Sequence, residues 1–150
     1  GDDRKAVVFC EHAESVPHVV EALEAADVTV ASFSGATPRN AREKAVADLQ
    51  NGDAAVLVST ISAAGVGLTL TAASRIIFFE PILDVAAFRQ AIGRAHRIGQ
   101  KRSVAVAVLA AAGTHEHIAL DLLTKRLTAE DECDQRVLKQ RRLAKTFKLL

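Results

Sequence analysis

Short runs of β-branched and other apolar residues alternate along this chain with longer stretches whose apolar positions recur at helical spacing. That alternation predicts repeated βα units on a parallel sheet. Ala6-Val7-Val8-Phe9-Cys10 reads as a first, buried strand, followed by a helix from about Ser15 to Ala26 with Pro17 in its first turn, where a missing N–H is tolerated. Val28 to Ala31 is a second strand. After the loop Ser34-Gly35-Ala36-Thr37, Thr37 is placed to cap a helix whose first-turn residue is Pro38 and which runs to about Leu49, with Asn51-Gly52-Asp53 as its stop. Ala54–Ser59, Arg75–Phe79 and Val104–Leu109 are the remaining strands. A helix from about Val85 to Arg97, ended by Gly99, lies between the last two, and another starts near Thr114. The fold class is therefore α/β, a parallel sheet with helices on both faces. A charged linker, Thr128 to Asp134, separates a domain of residues 1–128 from a segment, 129–150, that ends in a basic helix from about Gln135.

Composition narrows the picture. At 150 residues and 49% hydrophobic the chain has the material for one domain with a sizeable core. Its apolar runs are roughly ten residues or fewer, against the ~20 that a membrane-spanning helix needs, so no membrane partner is expected. Gly1-Asp2-Asp3-Arg4 does not open a signal peptide. Two cysteines, Cys10 and Cys133, cannot make a disulfide framework, which favours a reducing, intracellular setting. With no methionine, the chain is expected to be a processed product or an excised piece of something longer. Residues 1–60 carry five basic and ten acidic side chains, and the positive excess falls later, where Arg136, Lys139, Arg141, Arg142, Lys145 and Lys148 face no acid. Such an end meets nucleic acid or an acidic protein, or is a solvated helix face.

Open parallel sheets gather ligands outside the carboxyl ends of their strands. One candidate there is Ser59-Thr60-Ile61-Ser62-Ala63-Ala64-Gly65-Val66-Gly67-Leu68, which leaves a strand with hydroxyls and ends in a glycine pair. Glycines let a backbone bring its N–H groups close to a phosphate. As a dinucleotide fingerprint it fails, because Leu70 stands at the third glycine position. Taken alone it is equally a tight turn. The second candidate is Gln90-Ala91-Ile92-Gly93-Arg94-Ala95-His96-Arg97-Ile98-Gly99-Gln100. At spacings of four and three, Gln90, Arg94 and Arg97 are expected to project from one face of the helix, aiming two guanidiniums at one target. Arginine suits a polyphosphate because it stays charged and offers paired planar donors. Spacing alone fits a surface helix with solvated arginines as well.

Together the two segments closely resemble motifs V and VI of the SWI/SNF-type helicase-like ATPases. Val7-Val8-Phe9 resembles that family's motif IV strand; Gly35, Thr37 and Arg42 resemble the loop and helix that follow it; Gly113-Thr114-His115-Glu116 looks like its closing turn. The resemblance covers nearly all of residues 5–127, and the ending His-Arg-Ile-Gly-Gln separates it from DEAD-box RNA helicases, which usually finish motif VI differently. It implies the second RecA-like lobe of a motor that moves on double-stranded DNA using ATP, with a role in chromatin remodelling or DNA repair. Arg94 and Arg97 are then the arginine fingers, with Gln90, Gly65 and Gly67 on the ATP side. Gly35, Thr37, Ser59, Thr60 and Ser62 are the contacts to the DNA backbone.

No Gly-x-x-x-x-Gly-Lys-Ser/Thr run occurs, so ATP and Mg2+ are to be held mainly by a first lobe of the same parent chain, and this chain alone is expected to be inactive. Asp131-Glu132-Cys133-Asp134 spells an acidic box but follows motif VI, where a magnesium-binding motif does not belong. The resemblance implies a nuclear setting in a eukaryote or the nucleoid in a bacterium. Departures exist: Ile82-Leu83-Asp84-Val85, Thr69 and Gly93 replace residues the family commonly has. Glu80-Pro81-Ile82-Leu83 is nearer the branch that carries a RING finger, and two cysteines cannot build one, so RING or nucleosome partners would act through domains outside this chain. His115 and His117 are spaced for different helix faces, Cys10 and His12 lack a third ligand, and no metal site is expected. His96 is read as ordering the loop beyond it. The rival readings are a non-catalytic protein-docking module and lobe two of an RNA helicase.

Overall fold

The computed structural model describes residues 5–65 and 67–131. Five parallel strands, β1 (Lys5–Cys10), β2 (Val30–Phe33), β3 (Val56–Thr60), β4 (Ala73–Phe78) and β5 (Ala105–Val108), form one sheet in the order β2-β3-β1-β4-β5. Val7 stands level with Leu57 on one side and Ile76 on the other. The helices are α1 (Ser15–Glu24), α2 (Arg39–Asn51), α3 (Ile61–Ala64), α4 (Val85–Ala95) and α5 (His115–Asp131). Parallel crossovers are right-handed. The chain moves outward from β1 to β2 and then reverses through β3, β4 and β5, so α1 must cover one face and the later helices the other.

The packing follows. Val16 and Val19 of α1 lie with Val8, Cys10 and Val58 in one cluster. The opposite and larger cluster joins Val7, Phe9, Leu57, Ile76 and Phe78 to Leu49 of α2, Phe88 and Ile92 of α4, and Leu123 of α5. Phe78 is its aromatic centre, 5.6 Å from Phe9 and 4.5 Å from Phe88 between ring centroids.

Several boundaries differ from those the pattern predicts, each for a local reason. The second strand begins at Val30, because the Val28 N–H is used in closing α1 through the Leu23 carbonyl at 3.0 Å. Thr37 does not cap α2. Its hydroxyl accepts the Ser34 N–H at 3.0 Å instead, and Pro38 occupies the cap position in extended conformation. The most consequential difference is at α4, which stops at Ala95 with His96 as its cap, so Arg97 is not helical. In the charged stretch read as a linker, α5 continues through Thr128 to Asp131. The rest of that stretch, with Cys133 and the basic segment from Gln135, lies outside the described residues.

Candidate phosphate-facing site

Thr60 ends β3 and caps α3, its hydroxyl accepting the Ala63 N–H at 3.4 Å. The chain then descends from the carboxyl end of β3 to the amino end of β4 in so few residues that Gly65 to Leu70 runs as an irregular loop. Gly67 takes φ +61°, a left-handed conformation that glycine adopts freely, and a Cβ there would meet no other atom. The glycine is required by the backbone turn, and the surface above it is open.

The last turn of α4 holds this loop. Arg94 donates through Nη2 to the Gly65 carbonyl at 2.8 Å, while the Arg94 carbonyl accepts the Leu70 N–H at 2.9 Å. Arg94 is half-buried, and its Nε is enclosed with no hydrogen-bond partner. Arg97 differs. It sits two residues beyond the helix, exposed, between an N–H donated to the Ala95 carbonyl at 3.1 Å and a carbonyl that accepts the Gln100 N–H at 2.9 Å. Gly99, at φ +103°, completes this turn. The one-face geometry predicted for Gln90, Arg94 and Arg97 therefore holds for the first two only. Gln90 is exposed on α4.

The rule that ligands gather at carboxyl ends does not locate Arg97, because α4 runs back against the strands and its turn packs beside Thr71 and Ala73 at the amino end of β4.

The hydroxyls after β3 are divided by burial. Ser59 is 0% and Thr60 2% exposed, so neither reaches a phosphate directly, whereas Ser62 is exposed. They are buried at the end of a central strand with helices packed on the sheet around it, a fact that two adjacent hydroxyl residues in sequence do not reveal. At the carboxyl end of β2, Arg42 of α2 wraps the Gly35 loop, donating from Nε to the Thr37 carbonyl at 2.6 Å and from Nη2 to the Gly35 carbonyl at 2.5 Å. Gly35 is exposed and Thr37 half-buried, with its hydroxyl hydrogen free of the Ser34 contact, in which the oxygen is the acceptor. Between α2 and the loop after α3 runs a groove of about 600 Å³ whose lining includes Arg39, Val46, Gln50, Gly67 and Leu68. The sequence carried no signal for it.

A buried carboxylate escaped the sequence reading too. Glu80, just past β4, accepts the Glu11 N–H at 2.7 Å and a short hydrogen bond from the Ser15 hydroxyl, fastening the β1–α1 loop. Cys10 lies beside it, its thiol pushed up to about 12 by burial and secondarily by the Glu80 charge, which keeps it protonated and unreactive. His96 is exposed at the α4 cap. Among the described residues no three His, Cys, Asp or Glu side chains form a group able to hold a metal, and no helix is long and apolar enough to cross a membrane.

The family described as the helicase conserved C-terminal domain matches residues 1–99. An Arabidopsis thaliana protein described as a putative SWI/SNF-related matrix-associated actin-dependent regulator of chromatin subfamily A member 3-like 1 is 32% identical over 88% of the chain. The mouse DNA annealing helicase and endonuclease ZRANB3 is 35% identical over 83%, and the Bos taurus DNA excision repair protein ERCC-6-like 37% identical over 71%. The chain spans only 15%, 12% and 9% of those relatives' own lengths. The C-terminal part of the Fun30 ATPase domain has the same fold, with a TM-score of 0.74 over 80% of this chain and 39% of that one at 24% identity.

Proposed function

This chain belongs to the helicase conserved C-terminal domain family and is the C-terminal, RecA-like lobe of a SWI/SNF-type helicase-like ATPase, and we propose that it works as the second motor lobe of an ATP-dependent double-stranded DNA translocase with Arg97 as its principal arginine finger. One observation carries the reading: Arg97 is exposed on a turn fastened at both ends, and no hydrogen bond or ion pair engages its side chain among the described residues. A fastened backbone that leaves the guanidinium uncommitted lowers the reorganisation needed to bring its donors to charge developing on a phosphoryl group.

Arg94 is the second guanidinium. Its Nη2 steadies the Gly65 loop, its Nε is enclosed, and the remaining Nη N–H groups are those left to meet a phosphate. Gln90, Gly65 and Gly67 complete the ATP side. This set contains no carboxylate, so it fits a phosphate and does not fit Mg2+, which prefers carboxylate and phosphate oxygens. The metal, the phosphate-cradling loop and the base that orients water belong to a first lobe.

The DNA backbone would meet Gly35, the Thr37 hydroxyl and the Ser62 hydroxyl near the groove beside α2, while Ser59 and Thr60 support that surface from beneath. Such contacts read no sequence, and affinity should fall steeply with salt. The names of the relatives, which include a regulator of chromatin, an annealing helicase and a repair protein, support remodelling or repair as the setting and the nucleus as its place in a eukaryote. RING or nucleosome partners would act through domains outside this chain.

The test is DNA-stimulated ATP hydrolysis by the full-length protein, in which the first lobe is present, for wild type and Arg97→Ala. A finger is worth about 10³-fold or more in turnover, so a loss of that order is expected. Equal rates would remove the assignment. Appreciable hydrolysis by this lobe alone would contradict the division of labour.

A further inference from the structure

Two glutamines far apart in sequence close on the same three residues. Gln100 donates through Nε2 to the carbonyls of Thr71 at 3.0 Å, Ala73 at 2.8 Å and Ala95 at 3.2 Å, and its Oε1 accepts the Arg102 N–H at 2.9 Å. From α2, Gln50 accepts the Ala72 N–H through Oε1 at 2.7 Å and donates through Nε2 to the Thr71 hydroxyl at 3.2 Å. Both side chains are half-buried. The segment Thr71-Ala72-Ala73, where the chain enters β4, is thus gripped from two directions.

The consequence is felt at Arg97. Ala95 is the last residue of α4 and Gln100 is where the following turn ends. The Gln100 amide bridges those two points, and through Thr71 and Ala73 it anchors them to the sheet. Without it the turn would rest on its two internal backbone bonds, Arg97 to Ala95 and Gln100 to Arg97. We propose that Gln100, supported by Gln50, is a positioning residue for the Arg97 guanidinium, locking the turn that carries it to the first residues of β4. This inference rests on Arg97 acting as a finger. The residue type is selected by the geometry: a primary amide supplies two hydrogens for three carbonyls, one shared, and an acceptor for Arg102. A glutamate would turn a carboxylate toward the carbonyls, and a methionine would fill the space without bonding.

A finger displaced by about 1 Å loses on the order of 10²-fold in rate, whereas a purely structural side chain acts equally with or without the finger. The experiment is a double-mutant cycle in the full-length protein, measuring DNA-stimulated kcat and the KM for ATP of wild type, Arg97→Ala, Gln100→Met and the double variant. Gln100→Met alone should lower kcat by about tenfold or more with the KM for ATP changed by less than about twofold, and should cause no further loss once Arg97 is alanine. A loss of kcat of equal size in both backgrounds, or an unchanged kcat in Gln100→Met, overturns the proposal. An unchanged kcat in Arg97→Ala removes the finger and this inference with it, so the two failures are told apart. Should Gln100→Met not fold, Gln50→Met enters the same cycle. A loss of about threefold that vanishes in the Arg97→Ala background supports the clamp, and one that persists there overturns it.

Discussion

Arg94 and Gly65 stand 29 residues apart in sequence and are joined by one charge-assisted hydrogen bond, from Nη2 to the carbonyl oxygen at 2.8 Å. With the Leu70 N–H on the Arg94 carbonyl, the end of α4 is stapled to the loop at two points. Arg94→Ala should therefore free the Gly65 end, costing about 1 kcal/mol because the bond is partly exposed, and should speed hydrogen exchange at residues 67–70. Arg94→Lys keeps a charged donor for this single bond and should recover part of the loss. Exchange as slow in Arg94→Ala as in wild type would show that the loop is held by other contacts.

Glu80 joins β4 to the β1–α1 loop through a backbone N–H and a hydroxyl, both meeting a buried carboxylate. Charged, buried hydrogen bonds of this kind contribute about 1.5–3 kcal/mol each, so Glu80→Ala should lower stability by about 3 kcal/mol in urea titration. A loss under about 1 kcal/mol would mean that water replaces the carboxylate readily.

Cys10 gives a pH dependence of known sign. Its folded value is raised to about 12 from an ordinary 9.0, so between these two the unfolded chain binds fewer protons than the folded one. Stability from this group is complete below pH 9 and declines as pH rises toward 12. In a Cys133→Ser background the remaining thiol should resist a thiol reagent at about pH 8 until urea is added. Rapid labelling of the folded protein would contradict the burial. Glu80→Gln should lower the Cys10 value while burial keeps it above the ordinary one.

Lys5 caps the far end of α2. Its Nζ donates to the carbonyls of Leu49 and Gly52, each at 2.7 Å, where the helix dipole is negative. Lys5→Met keeps the stem and deletes both bonds, and should cost about 1–2 kcal/mol. A denaturation midpoint equal to that of wild type would reduce the contact to a surface pairing of no weight.

Asp27 closes α1 in the left-handed region, at φ 59°, with its N–H on the Glu24 carbonyl and the Val28 N–H on the Leu23 carbonyl, each at 3.0 Å. Glycine is the usual residue at this position of such a helix end. Asp27→Gly should raise stability by about 0.5 kcal/mol and Asp27→Val should lower it by more than 1 kcal/mol, read as opposite shifts in Tm. Equal Tm values for the two variants would show that the turn relaxes freely.

Most strands were legible to within about two residues because continuous apolar runs suit positions covered on both faces. Val28 and Thr29 resemble a strand as closely as Val30 and Ala31 do, and only the closing bond from Val28 to Leu23 puts the boundary between them. The site was legible as wording more than as shape. Arg94, Arg97, Gly65 and Gly67 were found from their motifs, yet the roles of Gln50, Gln100 and Glu80 were invisible, because each bonds backbone atoms of distant residues and a carbonyl or an N–H has no side-chain signature.

The sequence by itself determined the βα alternation, the two motifs and the family to which they belong, since these depend on residue type and local spacing. The tertiary structure alone decided the strand order, the burial of Ser59 and Thr60, and the contrast between an engaged Arg94 and an open Arg97. The reason is physical. Local spacing fixes which side chains share a helix face only while the helix lasts, and α4 ends at Ala95. Past that point, the bonds Gln100 makes across the fold to Thr71 and Ala73 govern where the Arg97 turn is directed.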